Sequence, residues 1–315
     1  MVDDEMDRLL HAAIAPNTHK TYLAGWRAFC QFRQQHPGGP WASVDDVRHF
    51  VAWLSLRGLA SATIATYVSG LGYYQKLNGQ VDPTSDFLVC KLIEGARRVR
   101  PSIDCRVPIS LPILDRIISV LVHICSSQYE SVMFRAVFLS AFFGFMRVGE
   151  FAVYSKNNIQ SSVLTFTDIR FVPVDAQTVS VDIVFRHAKN NQRGPPQTIR
   201  LVQSQNAALC PVRALQDFAA IRPRVDGPFF CHFNTGPLTR YQFNAVLQKA
   251  VRFADLTDYH IRGHSFRIGA ASSAFGLGVP QSNICQMGRW RSRAFLSYVR
   301  PVPVCNFTNH DKSSG

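Results

Sequence analysis

The sequence predicts a mainly α-helical protein with a small antiparallel β-sheet in its second half. Three observations carry that reading. Apolar residues recur every three or four positions through the first hundred residues and again after residue 210. One tract, Val179, Val181, Ile183 and Phe185, alternates with Ser180, Asp182 and Val184, the period of a strand. Hydrophobic residues at 47% against 17% charged exclude a disordered or fibrous chain.

Asn17 and Thr18 open a helix that sets Tyr22, Trp26, Phe29 and Phe32 on one face. Ser43, with Asp46 three residues on, forms a capping box ahead of Val47, Phe50, Val51 and Leu54, and Gly58 stops that helix. Ser61 starts a third helix with Ile64, Tyr67, Val68 and Leu71, closed by Asn78 and Gly79. A fourth is predicted from about Ser85 to Gly95, carrying Phe87, Leu88, Leu92 and Ile93. Four helices on short turns make a small bundle over 1–100. The basic, proline-broken stretch that follows (Arg97, Arg98, Arg100, Pro101, then Arg106 and Pro108) reads as an interdomain linker, assigned to 101–109. Over 110–315, Ser110 caps a helix with Ile113, Ile117 and Leu121, and an apolar helix runs from about Ser131 to Phe143. Leu164 to Phe166 and Thr198 to Leu201 are expected to flank the alternating strand, with Asn190 to Pro196 as a tip loop. Helices return over Pro211 to Ile221, Arg240 to Phe253 and His264 to Phe275.

Lys and Arg number 34 against 21 acids, a net charge of +13, and 27 of the 34 are arginines. An arginine fork meets phosphate oxygens two at a time, where lysine offers a point charge. Between Arg262 and Arg300 there are six arginines and no acid. Such one-signed charge points to a polyanion, most simply nucleic acid. The eight cysteines stand at least fifteen residues apart with no CxxC pair, which argues for reduced thiols and against a zinc ribbon, a finger or a disulfide framework. His260 and His264, with Cys231 and His232 upstream, do not amount to a zinc site, and no metal is expected. The longest uncharged apolar stretch, Ala136 to Met146, is 11 residues. A membrane helix needs about 20. The acidic N-terminus is not a secretory signal. An intracellular protein with no membrane partner is the expectation.

Four sparse motifs remain. Gly144-Phe145-Met146-Arg147-Val148-Gly149-Glu150 closes the apolar helix, and His264 with Arg267 forms an H-x-x-R pair. Gly288-Arg289-Trp290 follows, and Tyr298 stands eight residues beyond the tryptophan. In this order the sequence resembles the tyrosine recombinase (phage integrase) family, with the closest look to the eukaryotic mobile-element branch of DIRS-type retrotransposons and Crypton transposons. The resemblance covers nearly the whole chain. It implies a SAM-like, core-binding helical DNA-binding domain over 1–100 and an integrase-like catalytic domain over 110–315. It maps the family's first arginine onto Arg147, the neighbouring acid onto Glu150, the hairpin lysine onto Lys189 and the H-x-x-R onto His264 and Arg267. The His-or-Trp position falls on Trp290, and the nucleophile on Tyr298. Two departures stand out: many bacterial members place the tyrosine nine residues after the His or Trp, and Lys189 is followed by Asn190 and Asn191 rather than Thr-Asp.

The residue types suit the implied chemistry. Two guanidiniums, Arg147 and Arg267, can clamp the non-bridging oxygens of a phosphodiester as charge develops on them. The Tyr298 phenol needs a base or a cationic surrounding before it attacks, since its ordinary pKa is about 10. His264 can take that proton, Lys189 can protonate the departing 5′ oxygen, and the Trp290 indole N–H can donate to the phosphate. Glu150 is expected to hold its neighbours in place. The resemblance implies no cofactor, metal or ATP, no small-molecule substrate, and four protomers acting on two duplexes. With 17 residues after Tyr298, tail docking in extended form is expected rather than a long swapped helix. Arg97, Arg98, Arg100, Arg262, Arg289 and Arg291 are the expected DNA-holding arginines, and residence is nuclear if the source is eukaryotic. Two alternatives remain open, a domesticated DNA-binding protein that kept the fold and a type IB topoisomerase-like strand transferase. The latter typically has Lys in place of His264 and His in place of Trp290. An RNA-binding module finds no RRM-like or KH-like signature here.

Overall fold

The computed structural model describes residues 1–101, 104–157, 159–175, 178–186 and 194–301. The chain divides into two compact units, Met1–Asp104 and Cys105–Gly315.

The first unit is helical: α1 (Val2–Ala12), α2 (Pro16–Gln35), α3 (Val44–Leu56), α4 (Ser61–Leu77) and α5 (Phe87–Val99). The Ser43 hydroxyl accepts from the Asp46 amide while the Asp46 carboxylate returns a bond to the Ser43 amide, so the capping box forms as expected. Helix α2 begins one residue earlier than expected, at Pro16, whose missing N–H costs nothing in a first turn. Helices α2 and α4 approach backbone to backbone. A Cβ on Gly25 would lie 2.7 Å from the Tyr67 carbonyl, and one on Gly70 2.8 Å from the Tyr22 Cα. Phe29, Phe32, Phe50, Leu54, Ile64, Val68 and Leu71 fill the core beside this crossing.

Three expectations for this unit change. Helix α1 was not foreseen: its acidic first turn suits a helix N-terminus, yet it buries no residue and so shows no core-facing stripe. Helix α5 runs past Gly95 to Val99, stopping at Arg100, the residue before Pro101, where helical backbone is disfavoured. Arg97 and Arg98 therefore belong to a helix end, not a linker. The face α5 buries is also different: Val89 is enclosed and Ile93 packs beside it, while Phe87, Leu88 and Leu92 stay exposed.

The second unit holds α6 (Leu111–Ser119), α7 (Leu121–Ile124), α8 (Gln128–Phe143), α9 (Val148–Phe151), α10 (Pro211–Ile221), α11 (Arg240–Phe253), α12 (Ser265–Gly276) and α13 (Gln281–Gly288). Ten of the sixteen residues of α8 are buried, so it has no wet face and serves as the unit's central rod. A three-stranded antiparallel sheet, β1 (Ile169–Pro173), β2 (Val179–Phe185) and β3 (Gln197–Leu201), sets Ile183 opposite Ile169 and Ile199, with Val181 opposite Phe171 and Leu201. The first strand starts five residues after the expected Leu164. Thr165 and Asp168 cap a 3-10 turn there, and Thr165 makes only an isolated bridge to Pro228. Lys189 and the first part of the expected tip loop, Asn190 to Arg193, lie outside the described residues.

The stretch assigned to a linker is built in part into this unit. The Val107 amide donates to the His260 carbonyl and the Ile109 amide to the Ser265 carbonyl. Ile109 is fully buried. Helix α12 accepts this strap because residue 269 is glycine; a Cβ there would lie 2.0 Å from the Ile109 carbonyl oxygen. No described helix is long and apolar enough to cross a membrane.

Candidate active site

Arg147 follows directly from the way α8 ends. Gly144 caps the helix, Phe145 takes a positive φ of 48°, and the chain reverses into the single turn of α9 with Arg147 at its N-cap. Glu150, three residues on, folds back: its Oε2 accepts the Arg147 backbone N–H at 2.9 Å and its Oε1 the Arg147 Nη1 at 3.2 Å. The Arg147 side chain keeps 17% of its surface exposed while that of Glu150 keeps 4%. The acid is thus committed and the guanidinium remains reachable.

His264 stands at the N-cap of α12, with Arg267 on the same face one turn later. Arg267 is fully buried. Its Nη1 donates to the Phe145 carbonyl and its Nη2 to the Gly288 carbonyl at 2.5 Å. Burial lowers its pKa to about 9, and the positive charges of Arg147 and Arg289 push the same way. A guanidinium so short of counter-charge favours an arriving anion.

Trp290 and Tyr298 complete the cluster. Helix α13 ends in Arg289 in the left-handed region (φ 56°, ψ 42°), and this turn throws the Trp290 ring back over Gly288. The Arg267 guanidinium carbon lies 4.1 Å from the Trp290 ring centroid and 5.5 Å from that of Tyr298. Tyr298 ends a 3-10 helix, Arg293–Tyr298, and its ring lies 5.0 Å from Trp290 and 5.1 Å from His264. It is half-buried. The Trp290 indole N–H is buried and has no hydrogen-bond partner among the described residues.

Arg147, Glu150, His264, Arg267, Trp290 and Tyr298 therefore meet in one place, while Lys189 lies outside the described residues. The arginines expected to hold DNA divide. Arg97, Arg98 and Arg100 are exposed, with Arg98 paired to Glu94 and Arg100 donating to the Ser55 carbonyl. Arg262 and Arg291 are exposed as well, Arg262 bonding Gln248. Arg289 corrects the expectation: at 3% exposure it is not a surface contact but an internal one, because the left-handed turn points its side chain inward onto Glu150. Ser272 went unnoticed in the sequence. Its hydroxyl donates to the Tyr298 carbonyl and accepts the Arg300 amide, clipping the backbone on both sides of Val299. Its place eight residues after His264, on the same helical face, was the available signal.

No family model matches the chain. A curated integrase/recombinase described as a XerD homolog, from Selenomonas ruminantium, is 24% identical over 306 residues, spanning 92% of this chain and 82% of the relative. Among solved structures, a lambda integrase dimer bound to a COC′ core site superposes with a TM-score of 0.62 at 14% identity, over 95% of this chain and 75% of the other. XerH site-specific recombinase bound to a palindromic difH substrate gives 0.62 at 14% identity, over 89% and 74%. The Tn1549 transposon integrase in complex with circular intermediate DNA gives 0.58 at 13% identity, over 92% of both chains. By sequence the chain is similar to a curated integrase/recombinase, and its fold is that of the integrases and recombinases in these solved structures.

Proposed function

We propose that the chain breaks and rejoins duplex DNA at Tyr298 through a covalent 3′-phosphotyrosine. The convergence of two guanidiniums, an imidazole, an indole N–H with no partner among the described residues and a half-buried phenol carries this reading. The Tyr298 oxygen forms a bond to phosphorus as the bond from phosphorus to the 5′ oxygen breaks. His264 takes the phenolic proton, and Lys189, assigned by resemblance alone, supplies one to the departing oxygen. Arg147 and Arg267 hold the non-bridging oxygens, with Trp290 as a further donor. The 5′-hydroxyl of a partner strand then attacks the phosphotyrosine and releases the phenol. Energy is conserved in that ester, so rejoining draws on no nucleotide.

Double-stranded DNA is the proposed partner, with Arg97, Arg98, Arg100, Arg262 and Arg291 among the groups that neutralise its phosphates. The solved relatives on DNA include a dimer on a core site. We extend this to four protomers on two duplexes, acting in the nucleus if the host is eukaryotic.

The test uses nicked suicide duplexes, randomised around the nick and offered without added metal. The wild-type chain should retain a subset as a denaturation-resistant adduct. Tyr298→Phe should bind the same duplexes and retain none. Arg147→Ala and Arg267→Ala should slow adduct formation far more than they weaken binding, because their contacts strengthen in the transition state. An adduct persisting in Tyr298→Phe moves the nucleophile elsewhere. A wild-type chain that traps no duplex sinks the proposal.

A further inference from the structure

Arg289 has no part in the steps above, yet like Arg267 it is a buried cation of the site. Its side chain is 1% exposed. Nη2 donates to Glu150 Oε2 at 2.8 Å and to the Phe145 carbonyl at 3.2 Å. Nη1 donates to the Gly144 carbonyl at 3.1 Å and the Met287 carbonyl at 3.2 Å. Its guanidinium carbon lies 3.8 Å from the ring centroid of Phe185, the last residue of β2. Its backbone occupies the left-handed region that glycine adopts without strain. The strain of that conformation is offset here by the side chain's four hydrogen bonds and its ring contact.

The role of this side chain is visible in how Glu150 is shared. One carboxylate answers two guanidiniums, that of Arg147 at 3.2 Å and that of Arg289 at 2.8 Å, with the Arg147 amide on the same oxygen as Arg289. Together with Arg267, three cations stand against one anion. Without Arg289 the buried carboxylate would have Arg147 as its sole ion-pair partner among the described residues, and a buried carboxylate binds such a counter-ion tightly. The Arg147 fork would then turn from the phosphate to its own neighbour.

We infer that Arg289 is a positioning residue: it occupies and pins Glu150, so that Arg147 and Arg267 keep an excess of positive charge for the phosphoryl group. This inference rests on the phosphoryl-transfer reading above. A merely structural Arg289 would hold the turn and nothing more, and the two roles part on the response to removing the carboxylate.

The full-length chain is compared with R289M, R289G, E150Q and R289M/E150Q in three measurements: adduct rate, duplex affinity, and the rise in melting midpoint with inorganic phosphate. R289G frees the turn from strain and removes only the side chain. Both R289M and R289G should slow adduct formation on the order of a hundredfold at unchanged duplex affinity. R289M/E150Q should recover on the order of tenfold over R289M, since the competing carboxylate is gone. A double variant no faster than R289M overturns the inference, as does an R289G chain that cleaves at the wild-type rate. Should R289M not melt cooperatively, R289Q keeps a donor for the Phe145 carbonyl and carries the same comparison. If the wild type forms no adduct at all, the function falls and the phosphate arm still decides. A phosphate-induced rise lost in R289M and regained in the double variant supports the role of Arg289, and equal rises in all three refute it.

Discussion

Gly288→Ala tests how tightly the reactive cluster is held. A Cβ built at residue 288 would lie 1.7, 2.0 and 2.6 Å from three carbons of the Trp290 six-membered ring. Carbon atoms in contact rest at about 3.5–4.0 Å, so the indole must retreat by about 2 Å. It has nowhere to go without loss, because Arg267 stacks at 4.1 Å and the Phe145, Phe295 and Tyr298 rings lie within 6.2 Å. Forcing bulk into such a core costs about 1–3 kcal/mol. In a unit of about 200 residues that lowers the melting midpoint by roughly 2–12 °C. The kinetic effect should be larger. Displacing a reacting group by about 1 Å costs on the order of a hundredfold, so the Tyr298 adduct should form at least that much more slowly. With 5-fluorotryptophan incorporated, the four tryptophans give four fluorine resonances. The Trp290 resonance should move, and those of Trp26, Trp41 and Trp53 should not. An unmoved Trp290 resonance together with an adduct rate within twofold of wild type would refute the packing argument.

Gly70→Ala should destabilise the first unit by about 1–3 kcal/mol, because its Cβ would press on the Tyr22 backbone at 2.8 Å. At an ordinary helix position the same change stabilises by about 1 kcal/mol, so the sign of the shift in chemical denaturation is diagnostic. Asp168→Asn bears on pH. Burial opposes ionisation of Asp168, but bonds from the Thr165 hydroxyl and amide and from Arg186 outweigh it and hold the carboxyl below its ordinary value of 3.8. Its stabilisation is therefore present above about pH 4 and lost as pH falls through the lower, folded-state value. Above that pH the variant should be less stable by about 1–3 kcal/mol, and the gap should close on acidification, as read from melts across the acid range.

Much of this could be read from the chain itself, and the rest failed for identifiable reasons. The Ser43 capping box, the strand from Val179 to Phe185 and the helix over residues 240–253 follow from local spacing, and local rules suffice for them. Arg147, His264, Arg267, Trp290 and Tyr298 were legible as a set because their residue types are seldom joined in that order. In the sequence Arg289, beside Arg291, looks like surface charge. Only a left-handed backbone, a tertiary outcome, turns it inward. For α5 the bulk of Phe87 and Leu88 points the sequence to one face, while packing in the core selects Val89. The approach of α2 to α4 rests on missing side chains at Gly25 and Gly70, which periodicity of large residues does not register.

The strap from Val107 to Ile109 decides where this protein can be cut. A fragment trimmed to begin at Ser110 would discard the amides that cap the His260 and Ser265 carbonyls and leave a slot beside Gly269 open to solvent. Tension applied to the polypeptide just before Arg106 would be felt first two residues after Tyr298, at Arg300, whose guanidinium donates to the Arg106 carbonyl, and then at His260 and Ser265, on either side of His264. The entry point of the second unit is thus a handle on its candidate site.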